Sequence, residues 1–154
     1  MELSEKQIYG LSIFDEGYNC AQATFSPFAT MLDIDKETAL KVTGAMGGGV
    51  TCGNVCGAIL GVTCAIGSKY GQIKAFDKDT KQNCVLVERD FIQAFKDKHT
   101  YVNCEDLLGY NVNDQPKEGL SPEELREIYA KRREQCKNYV ADAISIGEEL
   151  LKNK

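Results

Sequence analysis

Apolar positions recur along this chain at spacings of three and four, and no run alternates convincingly at spacing two. Ser4-Glu5-Lys6-Gln7 fits a capping box, and Ile8, Leu11 and Phe14, with Tyr9 nearby, carry a helix to a stop at Gly17. Asn19 can cap a second helix that begins with Cys20, Ala21, Ala23 and Thr24. Pro27 either kinks that helix or starts a new turn, and Met31 and Leu32 close it. Asp35 is an N-cap for a helix over 36–46, with Ala39, Leu40, Val42 and Thr43 on or near its buried side. Residues 71–80 are polar and mixed and read as loop. A helix over 81–98 places Cys84, Leu86, Val87, Phe91, Ala94 and Phe95 close to one face. Asn103 to Gly109 reads as a short capped helix with a glycine stop. Tyr110 to Leu120 carries Asn111, Asn113, Asp114, Pro116 and Gly119, and reads as a flap or loop. Ser121-Pro122-Glu123-Glu124 then starts a helix that can run to Leu151, with Cys136, Val140, Ala143, Ile144 and Gly147 on or close to one face. The pattern predicts an all-α bundle of five to seven helices with a long C-terminal helix, a single domain over 1–154.

One stretch departs from ordinary amphipathic patterning. Between Met46 and Gly67, Cys52, Cys56 and Cys64 stand among closely spaced glycines. Its first half reads as a tight turn, because glycine accepts positive φ without a Cβ clash. Its second half, from about Asn54, reads as a small-residue helix that neighbours can approach closely. Cys56 then falls in the first turn, where unpaired N–H groups and the helix dipole favour a thiolate. Gly47-Gly48-Gly49 lacks a following Gly-Lys-Ser/Thr and any βαβ context, so a turn or a close helix crossing outweighs nucleotide binding.

Composition narrows the classes. The chain has 154 residues, enough for a core without disulfide staples. Its net charge is −5, which argues against nucleic acid or an anionic membrane as the main partner. The polar start, Met-Glu-Leu-Ser-Glu-Lys-Gln, does not resemble a signal peptide. The longest near-apolar run, Val55 to Gly67, falls short of the roughly 20 residues a membrane span needs, so no membrane insertion is expected. These features predict a cytoplasmic protein, where seven cysteines serve as buried apolar groups, metal ligands or redox groups rather than structural disulfides.

Four cysteines have marked contexts. Cys20, Cys56 and Cys104 fall in first helical turns, and Cys136 lies mid-helix on the inward face. The thiolate is both nucleophile and metal ligand, so helix N-termini at the first three are the expected means of lowering a pKa. Cys136 is expected as a second ligand or a resolving thiol. No Cys-x-x-Cys occurs, and only the fold can bring the four together.

Gly17-Tyr18-Asn19-Cys20-Ala21-Gln22-Ala23, Gly47-Gly48-Gly49, Cys56-Gly57-Ala58-Ile59-Leu60-Gly61, Cys104 before Leu107-Leu108-Gly109, and Cys136 resemble the C_GCAxxG_C_C family. That bacterial and archaeal family, named for its four cysteines, is regarded as redox-active. The resemblance runs from about Ile8 to Leu151. It implies Cys20, Cys56, Cys104 and Cys136 as the site and brings no established substrate. Cys64 and Cys84 stand outside the pattern. Cys52, also outside it, stands beside the key turn, where a fifth ligand or a resolving thiol could sit.

The readings that follow differ in kind. Two cysteines could cycle between dithiol and disulfide, with Cys56 the leading nucleophile, in a thiol-dependent oxidoreductase with an unknown electron donor or acceptor. Alternatively, Cys20, Cys56, Cys104 and Cys136 could ligate an iron–sulfur cluster or zinc, in an electron-transfer or accessory protein. The bland reading makes all four small buried hydrophobes. His99, the lone histidine, reads as a C-terminal helix cap ahead of a Cys–His pair. Tyr18 and Tyr101 read as core, and Lys131-Arg132-Arg133 as a solvated basic face. Small-residue helices and exposed glycines permit a homodimer.

Overall fold

A computed structural model describes residues 2–114 and 118–152. Seven α-helices follow one another among them: α1 Glu5–Asp15, α2 Cys20–Ala29, α3 Lys36–Val42, α4 Gly57–Tyr70, α5 Lys78–His99, α6 Cys104–Leu108 and α7 Pro122–Lys152. The fold is all-α with a long C-terminal helix, as the spacing predicts. The described residues contain no strand, only an isolated antiparallel bridge between Val55 and Asn103.

The caps read from the sequence are made. Ser4 and Gln7 bond reciprocally at the start of α1, and Asn19 and Gln22 do the same at α2. Asp35 accepts from the Thr38 N–H at α3, and Ser121 and Glu124 form a box at α7. Pro27 neither breaks α2 nor ends it; the helix continues to Ala29 and tightens into a 3-10 turn over Thr30–Leu32. The Pro116 part of the expected flap lies outside the described residues.

Three boundaries differ. α3 ends at Val42 rather than 46, because the Thr43 and Gly44 carbonyls accept from Asn19 Nδ2 (3.1 Å each) instead of continuing a helix. α4 begins at Gly57, with Cys56 as its N-cap, since residues 48–51 are wound into a left-handed turn and Gly53 also has positive φ. α5 begins at Lys78, three residues earlier than expected, because Asp77 accepts from the Thr80 N–H.

The core is one cluster to which α1, α2, α4, α5 and α7 all contribute, with Phe14, Phe25, Phe28, Ile59, Phe91, Phe95 and Ile144 fully buried. α2 and α4 form its most intimate crossing. A side chain at Gly61 would collide with Thr24 Oγ1 and with the α2 backbone at Ala21 and Phe25. α1 presents a different face from the one its large residues suggest. Ile8 is 57% exposed, whereas Gly10, Ile13 and Phe14 are buried. Gly10 sits against the Ala23 carbonyl and Ile144, so the absence of a side chain, not a large one, decides the packing. Leu86, expected on the buried face of α5, is also exposed.

Candidate functional site

The cysteines are assembled by backbone pairing on one side and helix packing on the other. Asn54-Val55-Cys56 runs antiparallel to Val102-Asn103-Cys104: the Cys56 N–H donates to the Val102 carbonyl at 2.8 Å, and the Cys104 N–H donates to the Asn54 carbonyl at 2.6 Å. This short pairing places the starts of α4 and α6 side by side. Gly49 permits it, since φ there is +64° and a Cβ would press on Asn54 and stand 2.9 Å from Cys104 Cβ. Gly57 lets α4 reach α2, because a Cβ at that position would lie 3.2 Å from both the Ala21 nitrogen and Cys20 Cβ. α7 closes the group from outside and carries Cys136.

The sulfurs interact. Cys20 and Cys136 lie within reach of each other, and the charge on Cys56, Cys104 or Cys136 is felt at Cys20. Thus Cys20, Cys56, Cys104 and Cys136 occupy one neighbourhood. Cys56 and Cys104 are buried, and Cys20 and Cys136 half-buried.

Their acidities depart from expectation. Burial pushes the Cys56 thiol up to about 12, although the Ala58 and Ile59 N–H groups at the α4 N-terminus pull the other way. Burial likewise raises Cys104 to about 11. Cys20 is held well above the ordinary thiol value, first because its proton is shared with Cys136 and then by burial. A helix N-terminus favours a thiolate, but a thiolate taken out of water loses more than those N–H groups return. Among the four, Cys136 alone lies below the ordinary value. The Cys20 hydrogen bond lowers it most, with Arg132 and Arg133 adding to the effect. Sequence reasoning missed these arginines as part of the site. The signal was present, because they precede Cys136 by four and three residues, the spacing of neighbours on one helix face.

That corrects the solvated-face reading of the basic run. Arg133 lies 3.4 Å over the Phe14 ring and donates to the Phe14 carbonyl and, at 3.5 Å, to the Tyr18 carbonyl. It thereby fixes the chain just ahead of Cys20. Arg132 lies over the Tyr129 ring at 4.8 Å. Of the run, Lys131 alone is exposed, and Arg132 and Arg133 are half-buried.

The remaining cysteines are elsewhere engaged. Cys52 is exposed, with its thiol 3.4 Å from the Gly49 carbonyl. Cys64 meets Met46 Sδ at 3.9 Å, and Cys84 lines a cleft between α4 and α5 with Thr63 and Glu88. His99 is the last residue of α5, whose C-cap is Thr100; its side chain bonds Asp142 of α7 at 2.8 Å, with its ring on Phe95 and Tyr139. It ties two helices together, and no hydrogen bond among the described residues joins it to a cysteine. Tyr18 packs against the core, whereas Tyr101 is 52% exposed, contrary to expectation.

Among the described residues, no three cysteine, histidine, aspartate or glutamate side chains converge closely enough to hold one metal ion. Among the described residues there is therefore no single-ion zinc site, whose sulfur ligands must all lie within about 2.3 Å of one metal.

A family model described as "Putative redox-active protein (C_GCAxxG_C_C)" matches residues 18–150. The chain belongs to the C_GCAxxG_C_C family. That C_GCAxxG_C_C match spans all four clustered cysteines and the glycine turn between them. No match is found among curated proteins or among solved structures. Among the described residues, no helix is long and apolar enough to cross a membrane.

Proposed function

We propose that this chain exchanges electron pairs through a dithiol, with Cys136 as the attacking thiolate and Cys20 as the resolving thiol. The observation that carries the reading is the pairing of Cys20 with Cys136, one helical turn from Arg132 and Arg133. It stabilises charge on one sulfur and keeps the proton on the other, the division of labour that exchange requires. The Cys136 thiolate attacks one sulfur of an external disulfide, forms a mixed disulfide and expels one thiolate. Cys20 loses its proton to solvent and attacks Cys136. A Cys20–Cys136 disulfide closes and the second thiolate leaves. Two electrons pass from the pair to the acceptor, and an external dithiol runs the sequence backwards.

Cys56 and Cys104 are buried nearby, and their high pKa values keep them neutral and keep further negative charge away from Cys136. This assigns the nucleophile to Cys136, not to Cys56 as the helix-terminus argument has it. A reducing compartment such as the cytoplasm suits free thiols of this kind.

The test uses the resolving role. With Cys20→Ser, one equivalent of a disulfide should leave a lasting mixed disulfide on Cys136, seen by mass spectrometry of the digested chain. Wild type should release it and lose two of its seven free thiols. A stable adduct on another cysteine, or stoichiometric zinc or a visible chromophore in freshly purified protein, would count against the reading.

A further inference from the structure

A groove of about 950 Å³ runs between the loop after α6 and the first turns of α7. Tyr110, Val112, Leu125, Ile128 and Tyr129 line it, with Asn111 and Asp114 on the loop side. Leu125, Tyr129, Arg132 and Cys136 follow at intervals of four, three and four, so they share one face of α7. Arg132 lines the groove and also acts electrostatically on Cys136 and Cys104. At 1.5 Å rise per residue, Cys136 stands only about 6 Å along the helix from it.

Two observations say what would enter. The lining is largely apolar and includes two tyrosines that are 43% and 52% exposed, in a volume within the range of small-molecule sites. Arg126 and Arg132 project into the same groove, and among the described residues neither forms an ion pair. The lining carries two guanidinium groups against one carboxylate, Asp114, so the groove is net positive on a chain of net charge −5. Guanidinium groups recognise carboxylates by paired hydrogen bonds.

We infer that this groove binds the electron acceptor, and that the acceptor is a small disulfide with an apolar or aromatic body and a carboxylate. The inference rests on the dithiol reading and names its substrate class. The body lies on Tyr129, Ile128 and Leu125, the carboxylate pairs with Arg126, and the S–S bond is presented at the Cys136 end. Exchange then follows the steps above: the acceptor's S–S bond breaks, the Cys20–Cys136 bond forms, and the acceptor leaves as two thiolates.

Two aromatic disulfides test it, the dicarboxylate dithiobis-nitrobenzoate and neutral dithiodipyridine. One equivalent of each is given to the full chain, and the rate of Cys20–Cys136 disulfide formation is read by mass spectrometry after alkylation and digestion. Arg126 is exposed, so Arg126→Gln should keep the wild-type far-UV spectrum. It should slow the reaction with the dicarboxylate about tenfold and leave the neutral reagent within about twofold, while Arg126→Lys restores most of the rate. Ile128→Asp should slow both. Equal effects of Arg126→Gln on the two reagents, or none on either, would overturn the groove assignment while leaving the dithiol intact. A concentration-dependent dimer dissociated by Ile128→Asp, with Arg126→Gln silent, would make the face a self-association surface instead. If neither reagent yields the Cys20–Cys136 disulfide in wild type, the dithiol reading falls and takes this one with it.

Discussion

Cys136 is half-buried, carries no helix N-terminus behind it, and is nonetheless the thiol of the four most ready to ionise. Its proton donor and its two arginines do what a helix dipole was expected to do elsewhere. Its alkylation by iodoacetamide, followed against pH, should show a midpoint below the ordinary 9.0. Cys20→Ser and Arg132→Gln should each move that midpoint upward. A midpoint at or above 9.0 in wild type would contradict the assignment.

Cys56 gives the opposite pH signature. Its folded pKa of about 12 exceeds the ordinary 9.0, so the folded state holds its proton where the unfolded chain has released it. Stability from this group is therefore complete below pH 9 and lost as pH rises toward 12. Cys20 and Cys104 act in the same direction. Near pH 11 the Cys56 share of the loss is about 2–3 kcal/mol. Urea titrations at pH 8 and in this alkaline range should show a drop that Cys56→Ala makes smaller. An unchanged drop would mean that Cys56 ionises freely in the folded chain.

Between elements, the fold depends on missing side chains. Gly61 and Gly67 lie six residues apart on α4 and should respond oppositely to alanine. At Gly61 the new methyl would strike α2 backbone that cannot move alone, so Gly61→Ala should destabilise by about 1–3 kcal/mol or more. At Gly67 it meets nothing within 4 Å, and the better helix propensity should stabilise by about 0.5–1 kcal/mol. Denaturant midpoints decide both. A Gly61→Ala protein as stable as wild type would show that α2 and α4 are not held as closely as the coordinates place them.

The same distinction governs how legible the chain was. Capping signals act over four residues and are written locally, so Ser4, Asn19, Asp35 and Ser121 mark their helices correctly. Which face of α1 is buried depends on Gly10 meeting Ala23 and Ile144, residues remote in sequence, and its large residues mislead. The four cysteines are readable from their contexts and from the family motif. Their acidities are not, because desolvation is a property of the finished packing: it outweighs the helix-terminus contribution at Cys56 and raises Cys104 as well. The arginines beside Cys136 were readable by spacing alone but carried the look of a solvated run.

For the molecule as a whole, residues from position 20 to position 136 must meet for any sulfur chemistry to occur. Packing of α2 on α4, the Val55–Asn103 bridge and the closure of α7 over both bring them into one neighbourhood. The central claim is that Cys20 and Cys136 are the exchanging pair within it. The most direct measurement is disulfide mapping of the native chain after one equivalent of oxidant, with free thiols blocked before digestion. A Cys20–Cys136 bond as the dominant product, with Cys56 and Cys104 alkylated only after unfolding, is the predicted result. A dominant bond that excludes Cys136, or four sulfurs found reduced and holding a metal, would contradict it.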